Sequence, residues 1–200
     1  MNKEKKFFIV LGWVTLIGFP VISLSVYQWL EGDWFSLFKT GWPLWYQIPI
    51  GATGGIVLGW LLRAYLRLGF MRDIRTHYRG LLKPIGLEKK EYVFLSFCAG
   101  VGEEILFRGV IQHFAGIYVT SVLFVALHGY LNPSNFRMLS YGLILTVIFI
   151  GVGFMATFIG IYACIVLHMV VDIFLFGMLD EGEGGLQNQE AGEDGPISDF

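Results

Sequence analysis

The sequence predicts an all-α membrane protein, a polytopic bundle of about six transmembrane helices around an intramembrane polar cavity. Of the 200 residues, 55% are hydrophobic and only 15% are charged, and the mean hydropathy is +0.63. A soluble domain of this length would have to expose too much of that apolar surface. Several apolar stretches also exceed the roughly 18 residues that indicate a membrane span. We therefore expect the lipid bilayer to surround most of the chain.

The apolar stretches predict six helices along the chain. The start, MNKEKK, resembles the charged region of a signal peptide, but the apolar run after it is longer than the roughly 15 residues typical of such peptides. We therefore expect an uncleaved first transmembrane helix. The stretch from 138 to 179 is too long for one crossing, and we divide it near Gly151 and Gly153. The predicted helices are 7–30, 44–66, 91–113, 117–131, 138–152 and 154–178.

Small residues within these helices indicate packing rather than chemistry. Gly51, Gly55 and Gly59 recur every four residues in the second helix, a spacing that lets a neighbouring helix approach closely. The two cysteines, Cys98 and Cys164, lie in apolar segments without CxxC spacing. We expect them to be small buried hydrophobes.

Basic residues predict the orientation of the chain. Three lysines precede the first span, and eight basic residues occur from Arg63 to Lys90, whereas the loop between the first two spans holds only Lys39. Cytoplasmic loops carry the excess of lysine and arginine, so both basic segments should be cytoplasmic. The sequence thus predicts a multi-pass protein of the cell membrane with both termini in the cytoplasm. The basic loop could also contact anionic lipid headgroups.

The chain divides into one membrane-embedded helical domain, residues 1–179, and an acidic tail, residues 180–200. The tail carries seven acidic residues and no basic ones, so it cannot bury enough apolar surface to fold, and we expect it to be disordered. The sequence shows neither a soluble domain nor a long internal repeat. The net charge of −2 gives no indication of a nucleic-acid partner.

The stretch GEEILFRG, residues 102–109, places three charges in an otherwise apolar helix, where each is costly. Glu104 and Arg108 are four residues apart with the acid first, which is the favourable order for an ion pair on one helix face. Glu103 points about 100° away around the helix. We expect Glu104 and Arg108 to neutralise each other, leaving Glu103 free to face a different environment.

Two other predicted helices carry polar groups that could converge with Glu103. His128 ends the fourth helix in FVALH, and His168 and Asp172 lie one turn apart on the last helix in LHMVVD. Intramembrane ionisable residues usually face the bundle interior and mark a functional site or a pairing network. His113 has no such partner and is interpreted as structural or interfacial.

A carboxylate and two histidines allow two kinds of hydrolysis. Glu103, aided by a histidine, could activate a water as general base, while the other histidine and Asp172 stabilise the oxyanion. Alternatively, Glu103, His128 and His168 could bind a zinc ion whose bound water attacks. The spacing of these residues leaves both mechanisms open.

Three motifs in this region resemble those of the CPBP family, the CAAX proteases and bacteriocin-processing enzymes also called Abi proteins. EEILFR resembles the EExxxR motif, FVALH the FxxxH motif, and LHMVVD the motif in which Asn or Asp follows a histidine by four residues. They occur in the family's order across residues 103–172.

The resemblance implies a polytopic membrane endopeptidase acting on a peptide or a prenylated protein, without a cofactor in the favoured glutamate mechanism. It implies Glu103 as the catalytic base, His128 as a helper in water activation, and His168 with Asp172 at the oxyanion site. Glu104 and Arg108 would support this arrangement. Asp172 stands where the prenyl proteases have Asn, and an ionised Asp cannot donate to an oxyanion. Asp172 is therefore either protonated or positioned to orient His168.

Two other functional classes fit parts of the pattern. A non-catalytic membrane scaffold or bacteriocin-immunity protein could keep the same fold, although the presence of every motif residue argues against it. A small transporter or channel could use the same ionisable groups as a proton path. Such a protein would be expected to show broken helices or an internal repeat, and the sequence indicates neither.

Overall fold

The computed structural model describes residues 3–30 and 32–180, and every regular element among them is helical. The predicted all-α class is therefore confirmed. The predicted disordered tail falls outside the described residues apart from Asp180, which ends the last helix. The helices are α1 (Lys3–Trp29), α2 (Ser36–Lys39), α3 (Leu44–Arg67), α4 (Arg72–Leu82), α5 (Lys89–Glu104), a π-helix (Ile105–Ile111), α6 (Gln112–Leu127), α7 (Phe136–Phe158) and α8 (Ile161–Asp180).

Among the described residues, five helices are long and apolar enough to cross a membrane. One of them, Lys89–Leu127, would measure about 58 Å if straight, roughly twice the hydrocarbon thickness. It is not straight, because Gly116 has a φ of 76° and a ψ of 170°, a conformation open mainly to glycine. The chain folds back there, so the rings of Phe107 and Phe124 lie 4.8 Å apart. The chain changes direction within this helix, which fits the prediction of about six spans.

The last two helices separate at Gly160 rather than near Gly151 and Gly153, so the predicted division was wrong by several residues. The helix α7 continues through both earlier glycines to Phe158, and Gly160 has a φ of 129°. Gln47 of α3 stabilises the break, because its Oε1 accepts a hydrogen bond of 3.1 Å from the backbone N–H of Tyr162. A side chain distant in sequence thus satisfies a donor at the start of α8.

The helix α8 lies at the centre of the bundle, packed against α3 and α5. Gly51, Gly55 and Gly59 face α8, where a Cβ would collide with its backbone or with Val170 and Phe174, so the predicted close packing is confirmed. Cys98 and Cys164 are buried free cysteines, as expected.

The two ends of the described chain lie on one side of the bundle, together with the basic segment that contains α4. Lys5 near the start of α1 pairs with Glu88, and Arg79 of α4 donates a 3.4 Å hydrogen bond to the backbone oxygen of Met178 at the end of α8. On the opposite side, the N–H of Trp42 donates to Ile159 O across 2.8 Å. The protein is an integral membrane protein, and the cytoplasmic assignment of the basic side stays a prediction.

Candidate active site

The two adjacent glutamates end α5, and a π-helix begins directly after them. π-Helical segments are rare and occur frequently at functional sites, because the wider turn changes the direction of the side chains around it. Two side chains of α1 hold this segment through its backbone oxygens. Ser23 Oγ donates to Ile105 O across 3.4 Å, and the hydroxyl of Tyr27 donates to Gly109 O across 2.9 Å.

Glu104 and Arg108 form the ion pair that their spacing indicates. Arg108 Nε donates to Glu104 Oε2 across 3.2 Å, and neither side chain is exposed. Arg108 also donates from Nη1 to Gln112 Oε1 across 3.3 Å. Its guanidinium lies over the ring of Phe149, 5.4 Å from the centroid. In such surroundings, each charge of the pair depends on the other because no water can replace it.

Glu104 has a second partner that the sequence pattern did not indicate, which is His168. Glu104 Oε1 lies 2.8 Å from His168 Nδ1, and because the ionised carboxylate can only accept, the imidazole donates from Nδ1. This hydrogen bond sets the ring orientation, so that Nε2 faces Glu103 Oε2 at 3.9 Å and Asp172 Oδ2 at 3.7 Å. The latter distance is too long for a hydrogen bond. Glu104, and not Asp172, therefore orients His168.

His128 presents the same ring nitrogen to Glu103 by a different route. Its Nδ1 lies 2.7 Å from the backbone oxygen of Phe124, which can only accept, so Nδ1 carries the proton. Nε2 then faces Glu103 Oε2 at 3.6 Å. The ring is stacked on Phe124, with centroids 4.4 Å apart. Two imidazoles from different helices thus direct Nε2 at one carboxylate oxygen.

Glu103 differs from its neighbour in having no ion-pair partner of its own among the arginines and lysines that the structure describes. Its Oε2 atom is buried and forms no hydrogen bond with any described residue. The separations of 3.6 and 3.9 Å from the two Nε2 atoms exceed direct hydrogen-bond length. The arrangement places two imidazole nitrogens, from different helices, around one carboxylate oxygen.

These groups line a cavity of about 310 Å³, near the lower end of the range for small-molecule sites. Its remaining walls are mostly apolar and come from α3, α4, α6, α7 and α8. Sequence reasoning did not identify these walls, because their residues look like ordinary packing positions. They include Leu62, Leu66, Ile74, Tyr78, Tyr130, Tyr141, Leu145, Phe149, Val171 and Leu175.

A metal would need three or more donors around one point. One carboxylate and two imidazoles suit zinc chemically. Across residues 3–30 and 32–180, however, no group of three His, Cys, Asp or Glu side chains is placed to hold a metal ion. His113 lies away from these donors, with its ring 6.1 Å from that of Tyr27 and 4.8 Å from that of Phe114.

Comparison with known proteins gives one match. Residues 90–174 match the family described as Type II CAAX prenyl endopeptidase Rce1-like. The matched segment begins in α5, contains all three motifs and ends in α8. No curated protein and no solved structure is significantly similar to the chain.

Proposed function

We propose that the chain is a member of the CAAX protease (CPBP) family, on the match over residues 90–174, and that it hydrolyses a peptide bond with a water molecule activated by Glu103. The observation that carries this proposal is the position of Glu103 Oε2, which is buried, unbonded and faced by Nε2 of both His128 and His168. A carboxylate in that position can take a proton from a bound water without first losing another partner.

In the proposed reaction, a water enters from the cavity and binds to the Glu103 carboxylate and His128 Nε2. Glu103 takes its proton, and the oxygen attacks the carbonyl carbon of the peptide bond. His168, when it carries a proton on Nε2, donates to the oxyanion that forms. Glu103 then gives its proton to the leaving nitrogen, the C–N bond breaks, and a carboxylic acid and an amine result. Glu104 holds His168 in place, with its own charge balanced by Arg108.

The role of Asp172 depends on its protonation. Its Oδ2 lies 3.7 Å from His168 Nε2 at the cavity wall, on the side where the oxyanion would form. A protonated Asp172 could donate to that oxyanion as Asn does in the prenyl proteases, whereas an ionised one could only hold the charge of His168.

We further propose that the substrate is a peptide or protein carrying a prenyl or similar apolar group. The mostly apolar walls of the cavity support this, because a hydrocarbon chain there would gain burial without leaving polar groups unsatisfied. The protein would act in the cell membrane, with both termini and the basic side of the bundle in the cytoplasm.

The test compares the purified wild type with Glu103→Gln on a farnesylated CAAX peptide and on its unprenylated counterpart. We expect Glu103→Gln to lower kcat by about 10² to 10⁴, the usual contribution of a general base. Glu91→Gln, a change at the N-terminal end of the same helix, is the matched control and should keep activity. Full activity in Glu103→Gln would refute the mechanism, and a wild type that cleaves nothing would favour a non-catalytic scaffold.

The metal-independent mechanism has its own test. Wild-type activity should survive a strong chelator, and the purified active protein should contain far less than one zinc ion per chain. Loss of activity on chelation, restored by added zinc, would instead support the zinc mechanism.

A further inference from the structure

One basic side chain lines the active-site cavity, and the proposed mechanism does not use it. Arg75, on α4, is the single arginine or lysine among the described residues of the cavity wall. It is half-buried, and its Nη1 donates a 2.8 Å hydrogen bond to the backbone oxygen of Leu66 at the end of α3. This contact holds one terminal nitrogen of the guanidinium, and Arg75 lines the same cavity as Glu103.

Arg75 carries a positive charge that no acidic neighbour balances. Among the described residues, no carboxylate lies within ion-pair distance of it, and the nearest acid on α4, Asp73, pairs with Arg137. Burial and the positive charges of Arg79, Arg72 and Arg67 lower the pKa of Arg75. The guanidinium nevertheless stays charged, because its ordinary pKa is so high. The cavity therefore holds an uncompensated cation close to its apolar walls.

We propose that Arg75 binds the C-terminal carboxylate of the peptide substrate. This inference rests on the proposed function and extends it: the enzyme would recognise a free chain end as well as an apolar group. A guanidinium can bind a carboxylate through two parallel hydrogen bonds, and the pairing is strongest where water is limited. After hydrolysis, the C-terminal fragment would carry the carboxylate that Arg75 binds.

The direction of Arg75 favours the substrate over a lipid headgroup as the source of this anion. Headgroups lie around the outside of the bundle, where Arg72 on the same helix is exposed. Arg75 instead lines the interior cavity together with Glu103 and His168. Its natural partner is therefore a group that enters the cavity with the bond to be cleaved.

The test uses two farnesylated CAAX peptides that differ only in ending with a free carboxylate or a C-terminal amide. The wild type should cleave the free acid with a kcat/KM about 10- to 100-fold higher, the effect of one charged hydrogen-bonded pair, mostly through KM. Arg75→Gln should remove this preference, because it weakens the binding of the free-acid peptide and leaves that of the amide unchanged. Arg75→Lys should keep part of it. Because the readout is a ratio within each variant, partial misfolding does not affect it.

Arg72→Gln is the matched control, since it removes a charge from the exposed side of the same helix, and it should leave the acid-to-amide ratio unchanged. Equal cleavage of acid and amide by the wild type would overturn the inference, as would a preference that survives Arg75→Gln. An Arg75→Gln defect seen only in vesicles containing phosphatidylglycerol, and not in phosphatidylcholine alone, would assign the residue to lipid binding instead. If the wild type cleaves and Glu103→Gln does not, these outcomes leave the proposed function standing.

Discussion

The helix that begins at Lys89 carries two clusters of charges with similar residue types in opposite surroundings. At its N-terminal end, Glu88 pairs with Lys5 at 3.3 Å and Lys90 at 3.0 Å, with side chains 60% exposed for Glu88 and 74% for Lys90. In its interior, Glu104 contacts Arg108 and His168, and the Glu104 and Arg108 side chains are completely buried. The distances within the two clusters are alike, but the access of water is not.

The stability of the fold depends more on the buried charges than on the exposed ones. At the N-terminal end, water reaches both Glu88 and Lys90, so their pair contributes little to stability. In the interior, removing one partner leaves an uncompensated charge in an apolar medium. Glu103 belongs to neither case, because its buried Oε2 has no hydrogen bond with any described residue to lose.

The largest expected effect is that of Glu104→Gln. The substitution keeps the shape of the side chain but leaves the buried Arg108 without its counter-charge and weakens the hold on His168. Breaking a buried pair in this way typically costs about 3–5 kcal/mol. We expect a marked fall in the thermal midpoint, measured by circular dichroism in detergent, together with loss of peptidase activity.

Glu103→Gln is the matched comparison, with the same chemical change one residue earlier. It breaks no ion pair with an arginine, so we expect it to remain folded with a thermal midpoint equal to or above that of the wild type, although activity is lost. Natural active sites often sacrifice stability in this way. Equal destabilisation by the two substitutions would mean that the two glutamates do not have separate roles.

A smaller effect is expected where α1 holds the π-helix. Tyr27→Phe removes the hydroxyl that donates to Gly109 O and leaves that oxygen without its α1 partner. The loss of one such hydrogen bond costs about 1 kcal/mol, and the looser π-helix should also lower kcat more than it raises KM. Ser25→Ala, which removes a hydroxyl that donates to Val21 O within α1, is the control. If both variants behave alike, α1 does not position the catalytic segment.

The sequence could predict those features of the site that depend on spacing within one helix. The ion pair of Glu104 with Arg108 follows from a separation of four residues, and the separate direction of Glu103 follows from the angle between successive side chains. The polar positions of three helices, together with the order of the three motifs, predicted a shared site for Glu103, His128 and His168. Local patterns of this kind survive folding because neighbouring residues on a helix have few alternative arrangements.

Features that depend on contacts between distant segments could not be predicted. The bond from Glu104 to His168 joins two helices across 64 residues, and the place where α8 begins depends on Gln47 in α3. The position of Arg75 at the cavity also depends on contacts between distant segments. In the sequence, Arg75 looks like any other arginine of the basic loop. In each case the packing of segments distant in sequence determines the partner, and the spacing of residues along the chain does not predict it.

The smallest expected effect belongs to the exposed cluster. Hydrogen bonds from Lys90 and Lys5 lower the pKa of Glu88. A lowered folded-state pKa means that the stabilisation is present above the unfolded pKa, about 4.3, and is lost as the pH falls through the folded value. Glu88→Gln should therefore lower the thermal midpoint slightly at pH 7, and the difference from the wild type should vanish in acid.

Salt provides the control that separates the two clusters. Screening by concentrated salt should abolish the Glu88→Gln difference at pH 7, because Glu88 itself and Lys90 are in contact with water. The Glu104→Gln difference should persist under the same conditions, because buried pairs are screened much less. A Glu88→Gln change in thermal midpoint that persists in both acid and salt would contradict this distinction. The stability of the N-terminal cluster would then depend on its charges as much as that of the interior cluster, and the two would differ only in function.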